Sequence, residues 1–159
     1  MKRIIYLSIC IPAMGLLACG GGDSSSQSSA EAPQSMIETK DPGSYDPKRG
    51  EGKWNAENVK LEPSINIEIA KKGDEIQAVK CASCHKLSEE KLVGPGWKGV
   101  TSRRAPEWIM NFITNPDPMI EKDPEVQAQL EICLVRMPNQ SLSDDEARNI
   151  LEFMRKNDQ

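Results

Sequence analysis

The sequence predicts an all-α domain of about four to five helices within residues 51–159. Three observations carry this. Apolar residues recur at helical spacing, as at Trp108, Ile109, Phe112 and Ile113. Helix start signals stand in front of such runs. No segment alternates convincingly in the manner of a strand, and no internal repeat is present. Taken in order, Ile65 to Ala82 reads as a helix with Ile69, Ile76 and Val79 as its apolar residues. Gly73 interrupts it at a cost of about 1 kcal/mol relative to Ala, which signals close packing there. His85 to Arg104 reads as a loop punctuated by Gly94-Pro95-Gly96. Ala105 to Thr114 is a helix, with Pro106 suited to its first turn. Asn115-Pro116-Asp117-Pro118 reads as its stop. Asp123 then caps a helix that begins with Pro124 and runs through Val126, Leu130 and Cys133 to about Leu134. Met137 to Gln140 is loop. Ser143 and Glu146 form a capping box that opens the last helix, with Ile150, Leu151, Phe153 and Met154 on its apolar side.

The chain outside this domain has a different character. Lys2 and Arg3 precede an apolar run from Ile4 to Leu17, too short for a relaxed transmembrane helix and shaped like a secretory signal. It ends in Leu16-Leu17-Ala18-Cys19, which resembles a bacterial lipobox. That resemblance implies cleavage after residue 18, lipidation of Cys19 and stable membrane anchoring by more than one acyl chain. An ordinary signal peptide with a chance cysteine is the alternative. Residues 19–50 are rich in Ser, Gly and Pro and poor in core-forming side chains, so they read as a flexible tether. Its typical reach is roughly 30 Å.

The whole chain carries 20 basic and 24 acidic residues, and loss of Lys2 and Arg3 takes the net charge from −4 to −6. No lysine-rich stripe of the nucleic-acid-binding kind is present. Charge is uneven, however. Six basic residues fall between Lys80 and Arg104 against Glu89 and Glu90 alone. This is either a solvated surface of mixed sign or a steering patch for an acidic partner.

The chemistry concentrates in Lys80-Cys81-Ala82-Ser83-Cys84-His85, a C-x-x-C-H motif. A zinc site is disfavoured, because adjacent Cys84 and His85 reach one tetrahedral ion awkwardly and no second ligand pair exists. A thioredoxin-type dithiol belongs at a helix start after a strand, whereas this motif follows a helix. A Cys81–Cys84 disulfide leaves His85 unexplained. Covalent haem explains all three: two thiols add to two vinyl groups and the imidazole binds iron. His85 is the only histidine in the chain, so a second axial ligand from within it is Met, Lys, water or nothing. Met110, Met119, Met137 and Met154 are the thioether candidates. Met110 and Met154 lie within helices, where core packing is the plain reading. Met119 follows a Pro-rich turn, and Met137 precedes Pro138 in a loop. Cys133 reads as a small buried hydrophobe. The few aromatics, three Trp, two Phe and two Tyr, leave a small core that a large apolar prosthetic group would complete.

These features resemble the mono-haem class I cytochromes c over residues 66–159. The resemblance implies that fold around one covalent haem c, held by Cys81, Cys84 and His85. It implies that the Pro95 carbonyl accepts the His85 N–H, that Met137 is the distal iron ligand, and that Gly73 admits the last helix near Phe153. Residues 51–64 and 102–123 depart from the class pattern. The latter segment resembles small cytochromes associated with nitrous oxide reductase clusters.

A His/Met iron has no open position, and Met ligation raises its potential. The expectation is therefore a single-electron carrier, not an enzyme. It would be a monomer on a lipid anchor facing the periplasm, passing electrons from respiratory membrane complexes to a terminal reductase or oxidase. Lys80, Lys86, Lys91 and Lys98 are the expected encounter residues. The rival readings are a haem gas sensor or enzyme with a labile sixth site, and a fixed haem subunit of a respiratory complex.

Overall fold

The computed structural model describes residues 45–159. The leader 1–18, Cys19 and the tether as far as residue 44 lie outside the described residues. Among the described residues six helices follow one another: α1 (Ile67–Lys80), α2 (Val100–Arg103), α3 (Pro106–Thr114), α4 (Pro116–Lys122), α5 (Pro124–Cys133) and α6 (Asp144–Asn157). No strand occurs among the described residues. None of these helices is long and apolar enough to cross a membrane.

Four helices start on local signals. Asn66 accepts the N–H groups of Glu68 and Ile69 to cap α1. Pro106 opens α3. Asp123 accepts the N–H groups of Glu125 and Val126 to cap α5. Ser143 and Glu146 close a reciprocal capping box on α6. The other two helices are not among the segments that the sequence marks as helical. α4 replaces the expected stop after Thr114, because Pro116 and Pro118 both fall in its first turn, where N–H groups lack intrahelical partners. α2 lies inside the expected loop. Its start is held from a distance by Asp158, which accepts the N–H groups of Gly99 at 2.6 Å and Thr101 at 2.8 Å.

α1 and α6 pack directly against each other. A Cβ on Gly73 would stand 2.0 Å from the Asn149 carbonyl oxygen and 2.7 Å from the Phe153 Cβ, so only glycine admits this crossing. Trp97, Ile109, Met110, Ile150 and Leu151 belong to the continuous core beside it. Residues 45–64 form a strap on the same core and bury Trp54 and Val59. The packed chain includes Tyr45 to Gly50, which the sequence assigns to the tether. The Tyr45 hydroxyl donates to Asp123, and Gly50 is buried against Met119.

Candidate cofactor site

The motif begins where α1 ends. Cys81 is the C-cap of α1, and its carbonyl accepts the N–H groups of Cys84 and His85, each at 3.0 Å. The chain then folds back. Val93 and Gly94 both donate to the Cys84 carbonyl, at 3.2 and 2.8 Å. This return brings the Pro95 carbonyl to 2.8 Å from His85 Nδ1. A carbonyl oxygen only accepts, so Nδ1 carries the proton and Nε2 keeps its lone pair. A Cβ on Gly94 would lie 2.4 Å from His85 Cε1, so the imidazole rests on bare backbone. On another side Trp97 lies 5.7 Å from it between ring centroids, backed by Phe153 at 6.5 Å.

Burial holds the His85 imidazole below its ordinary pKa, against an opposing pull from the Pro95 carbonyl. The neutral ring is the form that can ligate a metal. Burial pushes the Cys81 thiol up to about 11, with Lys80 opposing. A redox dithiol requires the reverse shift. Among the described residues, no three His, Cys, Asp or Glu side chains cluster as a zinc site would require.

Cys81, Cys84 and His85 open onto a cavity of about 560 Å³, within the range of small-molecule and cofactor sites. Ile109, Phe112, Ile113, Val126, Leu130 and Ile150 supply much of its apolar lining. Pro95 and Met137 line it as well. Of the other methionines, Met154 reaches it from α6, beside the Phe153 that backs Trp97. Met110 and Met119 are absent from its lining. Met119 is fully buried elsewhere, its sulfur accepting the Glu51 N–H at 2.9 Å. Cys133, expected to be buried, is partly exposed and lines the cavity.

Sequence reasoning missed the far wall. Trp108 and Phe112 form it from α3, with ring centroids 5.1 Å apart, and Arg103 and Arg104 reach the cavity from α2 and the residue after it. The apolar stripe of α3 and the tandem arginines were the available signals. The expected encounter lysines are engaged within the chain: Lys80 with Glu146, Lys86 with Glu90, Lys91 with the Ile132 carbonyl and Lys98 with the Asn157 carbonyl.

The Cytochrome c family model matches residues 70–158. A solved cytochrome c from Rhodothermus marinus superposes with a TM-score of 0.62 at 33% identity, covering 65% of this chain and 89% of that one. An engineered form of that protein, Rma TDE, gives 0.61 at 32%, covering 65% and 90%. The same engineered protein bound to a carbene intermediate gives 0.58 at 32%, covering 65% and 89%. No curated protein matches the chain significantly.

Proposed function

The chain belongs to the cytochrome c family and so carries haem c covalently; from that premise we propose that it is a single-electron carrier with His85 and Met137 as axial ligands. The bound group supplies a one-electron iron couple. The chain's own residues hold, orient and enclose it. Cys81 and Cys84 are the thioether positions, and the Pro95 carbonyl fixes the imidazole so that Nε2 faces its task. Met137 would be the soft donor, a ligand type that raises the potential of haem iron and leaves it no site for substrates. Arg103 and Arg104 both line the cavity, Arg104 paired with Glu125, and Arg103 is the cation there that would be open to a carboxylate of haem. The supporting observation is that Met137 shares the cavity with His85, while its rival Met119, on α4, is engaged elsewhere.

The test is optical. The ferric protein should show the red absorption band of Met–Fe(III), and Met137→Ala should abolish it while the haem stays attached. A variant with an unaltered spectrum would overturn the assignment and pass the role to Met154, the other methionine of the cavity.

The leader and the Leu16-Leu17-Ala18-Cys19 sequence support export and anchoring through Cys19 on the periplasmic side. Acyl chains on Cys19 would appear in the mass of the mature protein. The proposed route runs from respiratory membrane complexes to a terminal reductase or oxidase. The resemblance of residues 102–123 makes nitrous oxide reductase the acceptor to try first.

A further inference from the structure

The segment that carries Met137 lacks a backbone scaffold. Val135, Arg136, Met137, Pro138 and Gln140 all line the cavity. Among the described residues, no backbone-to-backbone hydrogen bond involves residues 135–142. None of residues 134–142 is fully buried, and only Met137, Gln140 and Leu142 are partly so. The motif side differs, since there the Cys81 and Cys84 carbonyls each take two N–H groups.

The ends of the segment are strained. Leu134 at φ 59° and Ser141 at φ 50° are the two non-glycine residues in the left-handed region among the described residues. Side chains rarely adopt that conformation, and it persists only where the surroundings impose it. Residues of this kind at both ends of an unladdered segment are suited to be hinges.

The polar ties to the rest of the molecule are made by three cations. At the first hinge, Lys91 donates to the Ile132 carbonyl at 2.9 Å. That carbonyl belongs to the last turn of α5, where intrahelical partners are missing and the helix dipole favours positive charge. In the middle, Arg136 donates through Nε and Nη2 to Asp117 Oδ1 of α4, at 3.0 and 2.9 Å, and lies 3.6 Å from Glu121. At the second hinge, Lys80 from the end of α1 reaches the Gln140 carbonyl at 3.4 Å and Glu146 of α6 at 3.2 Å. Exposed ion pairs add little to global stability. They weigh more in a local equilibrium where few other bonds must break.

We propose that Lys91, Arg136 and Lys80 are positioning residues that hold residues 134–141 closed as a hinged flap, and that this closure sets how firmly Met137 occupies the sixth position of the iron. The proposal rests on the His85/Met137 reading.

The test uses the haem-loaded full chain with Cys19→Ser and imidazole as the entering ligand, at about pH 8 where an imidazole is mostly neutral. Imidazole replaces Met137 on ferric iron without electron transfer, and fading of the Met–Fe(III) band follows it. At high imidazole the rate should level off at the rate of flap opening. Arg136→Met, Lys91→Met and Lys80→Met should each raise that limiting rate about threefold, and the triple variant about thirtyfold, because latches on separate elements add. Lys91→Arg, which keeps the charge, should leave it unchanged. So should Lys86→Met, which breaks a pair with Glu90 that does not reach the flap. Raising salt from roughly 0.01 to 1 M shortens the Debye length from about 30 to 3 Å and should speed entry in the parent but not in the triple variant. Urea should accelerate entry far less steeply than global unfolding, since a flap exposes little surface. A limiting rate unchanged in the triple variant overturns the proposal. So does entry proportional to imidazole at every concentration, a urea dependence equal to that of global unfolding, or an acceleration that Lys86→Met reproduces. A ferric parent without the band, or a Met137→Ala variant that keeps it, overturns the His85/Met137 reading itself and the latches with it.

Discussion

The histidine side of the cavity is built between Cys81 and Pro95, whereas its α3 wall depends on partners up to 78 residues apart. On the near side, consecutive backbone groups satisfy one another, and the Cys84 carbonyl alone takes two N–H groups from the returning loop. On the far side, two buried side chains do the joining. Asn111 accepts the Trp54 N–H at 2.9 Å and donates to the carbonyls of Arg49 and Trp54, both at 3.0 Å. Asp123 caps α5 with one oxygen and accepts from Trp108 Nε1 and the Tyr45 hydroxyl with the other. The strap thus grips α3 from outside, while the α3 residues Ile109, Phe112 and Ile113 line the cavity. A chemically specific site can be locally encoded, but the wall that encloses it is a tertiary product.

This contrast can be broken most severely at the near side. Replacing Cys81 and Cys84 with Ser together should abolish covalent attachment, read as haem lost on acid–acetone extraction. The far side should fail by stability instead. Asn111→Ala leaves three strap backbone groups without their partner and should cost about 3 kcal/mol in denaturant unfolding of the haem-loaded protein. Cleavage by protease should then concentrate in the strap, with the haem still attached.

Gly94→Ala should cost about 2 kcal/mol, because its Cβ meets the His85 ring and the neighbouring loop must shift. Its spectrum should change as well, which sets it apart from Asn111→Ala. The smallest effect is expected at Tyr45→Phe, about 1 kcal/mol for one hydrogen bond. That site also has a pH signature. Burial first, then Asp123, raises the Tyr45 pKa above its ordinary value of 10.0. Above about pH 10 the unfolded chain gives up this proton while the folded chain keeps it, so stability falls as pH rises. Below that range the contribution is fully present. Alkaline unfolding of Tyr45→Phe should be less steep.

Most of the near side was legible because its signals are short-range. C-x-x-C followed by the sole histidine, the Gly-Pro turn and the caps at Asp123 and Ser143 each act within about ten residues. Met137 could be named a candidate from its loop and its proline, yet nothing local separates it from Met119. Their separation came from Gly50 and Glu51, which engage Met119 from nearly seventy residues away. α4 was misread for a local reason: Asn-Pro-Asp-Pro serves equally as a stop and as a first turn. α2 was missed for a distant one, since its start is tied to Asp158.

By itself the sequence determined the helical class, the C-x-x-C-H motif that opens onto the cavity and the order of the principal helices. These rest on periodicity, caps and covalent chemistry, which depend on neighbours along the chain. Tertiary structure decided that Met137 and Met154 reach the cavity while Met110 and Met119 do not, how far the packed domain extends toward the N-terminus and which lysines become paired. Those outcomes depend on what a side chain meets after the chain has closed on itself. A lysine counted as a steering charge in the sequence becomes half of an ion pair once Glu146 or Glu90 lies beside it.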